Sequence, residues 1–474
     1  MTLSEPEKHC FSAPGKALFA GGYLVLYPEN SSFVTALSAR IYAVAAESSS
    51  LDPALPTVTV LSPQFQEGEW SYTLSKSDST GFVTVAALVP SRKNPFVHAA
   101  VTTVLNYLSA TGALATPIPS VTVNILSDNA YHSQPSEDVP KFNKHAQAIS
   151  DVPKTGLGSS AALTTSLTAA LLSYYSSKAA DKPLSLEERK DVLHNLAQVA
   201  HCTAQGKVGS GFDVACAVYG SIVYRRFLAS IISAIPAVPT TGDAGFESAY
   251  LDALRTTIDS DWSVGTGKCT VPPRMRLLMG DVSGGSETPA MVQMVQRWRK
   301  EGGATAESTW VSLGKANQSL ISAMIGLQVE AEKDPAGYNG VLDQISDSAA
   351  GCAGIKALGA SKGSLLGDLL VQAVDSMADI RFHLRAMTTG SGAQIEPVEQ
   401  TKLLDACNEL PGVFGGVVPG AGGYDAICLL VAEATVDRVR AATGSEFKNV
   451  KWLDLREESV GVRKEPFASL AEYL

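Results

Sequence analysis

KTGLGSSAALTTSLTAALLSYY, Lys154 to Tyr175, joins two glycines and two serines to a long run rich in alanine and leucine. From Ser160 onward Leu163, Leu167, Leu171 and Tyr174 recur every three to four positions with good helix formers between them, which predicts a buried amphipathic helix. A helix N-terminus presents unpaired backbone N–H groups and about half a positive charge. Ahead of it, Gly156 and Gly158 tolerate backbone angles and close approaches that a side chain forbids, so successive N–H groups can face one oxyanion. Phosphate is the natural guest of such a turn. The plainer alternative is a glycine-rich turn capped by Ser159.

Two other phosphate motifs are excluded by their own requirements. A P-loop needs Lys followed by Ser or Thr after its second glycine, whereas Gly158 is followed by Ser159 and Ser160. The dinucleotide pattern G-x-G-x-x-A is met by Gly156, Gly158 and Ala161, but its lead-in should be a strand. Here the lead-in is FNKHAQAISDVPKT, polar and broken by Pro153, and no strand ending in Asp or Glu follows about 20 residues later.

The rest of the chain bounds what such a turn could serve. Its 474 residues exceed one ordinary core, so two domains are expected. With 45% hydrophobic and 18% charged residues and no long charge run, it reads as a compact globule. A net charge of −10 disfavours nucleic acid as a partner, and an anionic ligand therefore needs a local positive site. The opening MTLSEPEKHCFSAPGK has no apolar core, and no segment approaches the roughly 18 apolar residues of a membrane span. The closing AEYL is not the Ser-Lys-Leu address, so a cytoplasmic protein is expected, with no membrane and no obligate protein partner. Seven cysteines without a CxxC pair read as thiols rather than disulfides or a zinc site.

Other segments carry chemistry only in combination. FSAPGKALFAGGYLVLYPE reads as a Pro-Gly turn, Lys16, a strand, a kink at Gly21 and Gly22, and a second strand from Tyr23 to Tyr27. In AQGKVGSGFDVACAVYG, a glycine-rich loop leads to Asp213, which could merely cap the helix beginning there. The C-terminal half supplies GDVSGGSETPAMV, SGAQIEPVEQTKLLDAC and VVPGAGGYDAICLLV, each a small-residue turn beside a helix or strand.

PGKALFAGGYLVL, KTGLGSSAA and PGAGGYDA, in this order and spacing, resemble the three motifs of the GHMP small-molecule kinases, the superfamily of galactokinase, homoserine kinase, mevalonate kinase and phosphomevalonate kinase. Within it, SDNAYHSQ, AQGKVGSGFDVA, GSETPAMV and SGAQIEPVEQTKLLDAC resemble the phosphomevalonate kinase branch of fungal type. The resemblance spans nearly the whole chain. It implies an α+β fold of two domains, the first like the second domain of ribosomal protein S5 and the second ferredoxin-like, with the active site between them. The expected units are 1–235 and 270–474, with 236–269 connecting them and the join within ISAIPAVPTTGDAG, Ile232 to Gly245, where proline, glycine and threonine cluster.

By motif position, the resemblance implies that Lys154, Gly156, Leu157, Gly158, Ser159, Ser160 and Ala161 hold ATP phosphates and that the hydroxyl of Ser160 or Ser159 reaches Mg²⁺. Lys16 and Asp213 would flank the transferred group, and Asp128 and Asn129 would lie near the base. Tyr23, Lys207, Ser210, Ser286, Thr288, Ser391, Gln394 and Gly422 are the candidates for the acceptor, 5-phosphomevalonate. Gly22 stands where mevalonate kinase has an acidic residue, and HCTAQG lacks the glutamate that serves mevalonate kinase as a metal ligand. The rivals are mevalonate kinase, diphosphomevalonate decarboxylase, and a non-catalytic sensor on the same fold. A sensor would be expected to lose Lys16 or Asp213, and both are present.

Overall fold

Pro14 lacks an N–H and Gly15 lacks a side chain, yet the strand that contains them runs on. Strand β1 spans His9–Ala20 and pairs antiparallel with β2, Ser32–Glu47, across a register shift between Pro14 and Gly15. The expected Pro-Gly turn is thus a bulge, the form in which a sheet accommodates a missing donor. A Cβ on Gly15 would lie 3.1 Å from both the Leu157 carbonyl and the Tyr131 hydroxyl, so a larger residue would crowd the bulge. The structure, a computed structural model, describes residues 7–48, 55–90, 94–133, 139–179, 186, 188–240, 242–282, 288–348, 350–446 and 450–474.

The expected second strand at Tyr23 to Tyr27 is instead a single 3₁₀ turn, Leu24–Leu26. Gly21 and Tyr23 both have positive φ, which turns the chain back on itself before extended pairing can resume.

The first sheet continues through β3 (Thr57–Leu61), β4 (Glu69–Lys76), β5 (Val83–Ala87) and β6 (Val121–Ser127), in the order β1-β2-β6-β3-β4-β5. Against it pack α1 (Pro95–Ala110), α2 (Ser159–Ser177) and α4 (Phe212–Tyr219), and α3 (Lys190–Gln205) packs on these helices. The alanine-rich α2 is enclosed by its neighbours, with Leu167, Leu171, Leu172, Tyr174 and Tyr175 fully buried. Strand β7 (Ile222–Arg225) extends the sheet, α5 (Ala229–Ser233) and α6 (Ala244–Asp259) follow, and β8 (Gly265–Lys268) pairs back on β7. Helix α6 packs on α1 and α3, so the Pro- and Gly-rich segment expected to hold the join is a loop within the first unit.

The second unit is a four-stranded antiparallel sheet of β9 (Met275–Val282), β10 (Val413–Val417), β11 (Ala426–Ala432) and β12 (Val450–Trp452), in the order β10-β11-β9-β12. Helices α7 (Thr288–Glu301), α8 (Gly303–Lys333), α9 (Pro335–Asp347), α10 (Cys352–Lys362), α11 (Leu365–Ser391) and α12 (Val398–Asn408) fill the β9–β10 connection, and α13 (Val436–Glu446) the β11–β12 one. This is a βαββαβ order, the ferredoxin-like pattern with a long helical insertion.

The chain then leaves the second sheet. Strand β13 (Glu457–Glu458) pairs with β2 at Leu37 and Ala36, and β14 (Arg463–Lys464) pairs with β1 at Ser12 and Phe11. The expected 270–474 unit therefore gives up its last strands to the first sheet. The physical reason is the bulge: Ser38, skipped in the β1–β2 register, donates its N–H to the Arg456 carbonyl at 2.7 Å. Arg40, 1% exposed, is the centre of the join. Its guanidinium donates to the Ser12 hydroxyl (2.7 Å) and carbonyl (3.1 Å), to the Val460 carbonyl (3.4 Å), to the Gly461 carbonyl, and to the Glu458 carboxylate.

Candidate active site

The turn before α2 is built as the sequence suggests but is not a side-chain cap. Gly158 is the cap residue in the left-handed conformation (φ 80°), Gly156 also has positive φ (73°), and among the described residues no side chain caps the helix end. The α2 N-terminus is therefore left with unspent N–H groups. The β1 bulge aims Lys16 at this turn: its backbone N–H donates to the Leu157 carbonyl at 2.9 Å and its ammonium to the Gly156 carbonyl at 2.8 Å. A Cβ on Gly158 would come within 3.0 Å of the Lys16 Cγ, so glycine is what lets the two meet. Burial lowers the Lys16 ammonium pKa, with the Asp213 charge and then Cys216 opposing that shift.

Asp213 lies in the first turn of α4, behind Gly211, which caps the helix with φ 81°. A Cβ there would meet Phe227 at 2.7 Å. Asp213 is not the cap; one carboxylate oxygen accepts from the adjacent Val214 N–H (3.0 Å), and the other lies 3.9 Å from His201 Nε2. The same nitrogen is 3.0 Å from Ser160 Oγ. Ser160 and Asp213, from α2 and α4, thus converge on His201 of α3.

Two cavities open on opposite sides of the turn. One, about 270 Å³, lies between the two units and is bounded by Lys16, Thr155, Gly156 and Ser210 from the first, and by Met279 and Gly420 to Gly422 from the second. Tyr23 lines it and donates its hydroxyl to the Ala421 carbonyl (2.6 Å), and burial raises that phenol's pKa. Gly422 is required by space, since a Cβ would sit 2.2 Å from the Ile395 carbonyl oxygen. The other cavity, about 380 Å³, belongs to the first unit alone. Phe65, Trp70, Phe96 and Leu163 form its apolar walls, and Lys154, Ser159 and Ser160 present the turn to it.

Not every expected residue joins these walls. Asp128 and Asn129 fold their side chains into the local loop: Asp128 accepts from the Ala130 N–H (3.1 Å), and Asn129 donates to the carbonyls of Val139 (3.2 Å) and Pro140 (3.1 Å). Their neighbours Ser127 and His132 line the second cavity instead. Lys207 and Gln394 are exposed and line neither cavity. Ser391 spends its hydroxyl on the Met387 carbonyl (2.6 Å) and the Ala393 N–H (3.1 Å) at the end of α11. Ser286 lies outside the described residues, and Thr288 opens α7. Leu157 and Ala161 are buried and line neither cavity.

Sequence reasoning missed His201, the aromatic walls and Arg226. The Arg226 guanidinium donates to the Leu26 and Gly209 carbonyls (2.6 Å each), tying two segments of the first cavity's wall together. No local spacing marks these residues. Among the described residues no group of three or more His, Cys, Asp or Glu forms a metal cage. Magnesium bound to phosphates needs only one or two protein oxygens, so Ser160 and Asp213 fit that donor set.

Among the described residues no helix is long and apolar enough to cross a membrane. Residues 126–221, which carry the phosphate turn and Asp213, match the family of GHMP kinases N terminal domains. Over 466 residues, covering 96% of this chain and 97% of the relative, the chain is 40% identical to the phosphomevalonate kinase of Candida albicans. It is 33% identical over 95% of both chains to a peroxisomal phosphomevalonate kinase of Arabidopsis thaliana. The fold matches a Streptococcus pneumoniae phosphomevalonate kinase solved with phosphomevalonate and AMPPNP, at TM-score 0.57 and 16% identity over 95% of this chain and 99% of that one. With identity of this extent running through both units and across the turn between the two cavities, the chain belongs to the phosphomevalonate kinase family.

Proposed function

We propose that the chain transfers the γ-phosphoryl group of ATP to the phosphate of 5-phosphomevalonate, giving ADP and 5-diphosphomevalonate, a step of isoprenoid synthesis. The observation that carries this reading is the phosphate turn standing between two cavities. The larger one, with its aromatic walls, suits a nucleotide base and ribose, and the smaller one, between the units, suits a compact anionic acceptor. Lys16 touches the turn at the mouth of the smaller cavity, while Lys154, Ser159 and Ser160 face the larger.

The acceptor's chemistry sets the mechanism. A phosphate monoester has a second pKa near 6, so at neutral pH it is mostly a dianion and already a nucleophile. The barrier lies in bringing that dianion to the γ-phosphate, and cations with aimed N–H groups are the means available. The α2 N–H groups would cradle the nucleotide phosphates and Lys16 would bridge donor and acceptor oxygens. Asp213 would orient Lys16 rather than abstract a proton. Magnesium, held by nucleotide oxygens with Ser160 and Asp213, would supply charge neutralisation. All seven cysteines are free thiols, which fits a reducing, cytoplasmic setting.

The test is ADP release with Mg²⁺-ATP and mevalonate, 5-phosphomevalonate or 5-diphosphomevalonate offered separately. Turnover with 5-phosphomevalonate alone is expected. Turnover with mevalonate or 5-diphosphomevalonate instead overturns the assignment of the smaller cavity.

A further inference from the structure

His201 is 2% exposed, its ring is tilted against Phe96 at 5.5 Å, and none of the steps above uses it. Its Nε2 lies 3.0 Å from Ser160 Oγ and 3.9 Å from Asp213 Oδ2. One imidazole nitrogen therefore faces one oxygen from the α2 turn and one from the Asp213 carboxylate of α4.

We propose that His201 is a positioning residue for phosphoryl transfer, which fixes the Ser160 hydroxyl relative to the Asp213 carboxylate. In either tautomer the hydrogen bond occupies one direction of the Ser160 oxygen. The remaining directions are thereby set toward the second cavity, whose wall Ser160 forms. A serine at the head of a helix otherwise turns among rotamers, and a hydroxyl that must meet a metal bound to phosphate loses that freedom on binding. His201 removes it beforehand. Helix α3 is well placed to hold the ring, because it packs on α2 and α4 and so registers both oxygens against one rigid element.

The inference rests on the proposed use of the α2 turn for nucleotide phosphates. Its test is a double-mutant cycle of His201→Ala and Ser160→Ala, with His201→Gln as the conservative variant. Turnover and ADP binding by calorimetry are both measured, the binding with Mg²⁺ and with EDTA. His201→Ala is expected to lower kcat about tenfold to a hundredfold with the acceptor KM changed less than about threefold. The gain in ADP affinity that Mg²⁺ confers should fall about fivefold, while affinity in EDTA stays unchanged. In the Ser160→Ala background the same substitution should cost less than about threefold, because coupled residues are not additive. His201→Gln, which keeps a hydrogen-bonding group near Ser160, should recover most of the Mg²⁺-dependent gain. Additive losses overturn the proposal, as does an equal loss of ADP affinity with and without Mg²⁺. So does a lowered melting temperature with kinetic constants intact. The ADP titration involves no acceptor, so failure of the functional reading, seen as no turnover of 5-phosphomevalonate by the unaltered chain, is separate from failure of this one.

Discussion

Arg40 and Lys16 are basic groups that flank the same bulge on neighbouring strands, yet they are placed in opposite ways. Arg40 directs its guanidinium to five protein acceptors, one of them the Glu458 carboxylate. Among the described residues the Lys16 ammonium makes one hydrogen bond, to a carbonyl, and Lys16 borders a cavity. A buried cation whose donors are all spent holds structure together; one with donors left over at a cavity mouth is kept for a ligand. The difference is in the partners and in the access: Arg40 is 1% exposed, whereas Lys16 is only partly buried.

The comparison breaks most decisively at Arg40. Arg40→Met should lower the free energy of unfolding in urea by about 3–5 kcal/mol, because Glu458 keeps only the longer Arg463 contact and the Ser12, Val460 and Gly461 carbonyls lose their donor, while kcat per folded molecule changes less than about twofold. A loss of kcat with stability retained would contradict the division.

Lys16→Met should behave in the reverse sense. Turnover is expected to fall about 10²- to 10³-fold, as for loss of one preorganised donor, with the melting temperature unchanged or raised, since burial disfavours its charge. A fall below about fivefold removes Lys16 from the reaction.

A third case sharpens the contrast, for His132 and His194 are buried bases without a carboxylate bonded to them. Burial pushes each imidazole down to about 4, with His145 and Lys154 adding to the effect at His132. Between about pH 6.5 and 4 the unfolded chain binds these protons and the folded chain does not. Stability is therefore complete above pH 6.5 and falls as pH is lowered through that window, by about 2–3 kcal/mol per group. His194→Leu should flatten the fall in urea midpoint between pH 6.5 and 4.5; an unaltered slope would show that the ring is not the source.

The finest distinction concerns the two glycines of the turn. Alanine at either costs about 1–3 kcal/mol of backbone strain at positive φ. At Gly156 the new methyl meets open space, but at Gly158 it meets Lys16. Gly158→Ala should therefore reduce kcat about tenfold more than Gly156→Ala, a difference of about 1.4 kcal/mol. Equal losses would mean that the turn acts without reference to Lys16.

The turn and its helix were legible in the sequence because their signals are local: glycines that tolerate positive φ and a helix with a 3.6-residue period, although the open helix end, which Ser159 could have capped, was seen only in the structure. Lys16 and Asp213 became legible only through the resemblance, since a lysine after Pro-Gly and an aspartate at a helix start each have commoner uses. Lys154 and Lys207 read alike, and only the fold puts one on a cavity wall and the other in solvent. His201 and Arg226 were illegible because each acquires its meaning from groups on other elements. The second strand expected at Tyr23 failed because two positive φ angles outweighed an apolar run.

The strands β13 and β14 also bear on how the protein is made. A ribosome delivers residues 9–47 first and residues 457–464 last, and the first sheet uses both. While the later residues are still inside the ribosome, β1 has an open edge, Ser38 has no carbonyl for its N–H, and Arg40 lacks its carboxylate. The catalytic half is synthesised early but cannot be finished until translation of the other half is over. A message cut short within the second unit should therefore yield a chain whose first unit is also unsound, a target for chaperones and proteases rather than a partly working enzyme.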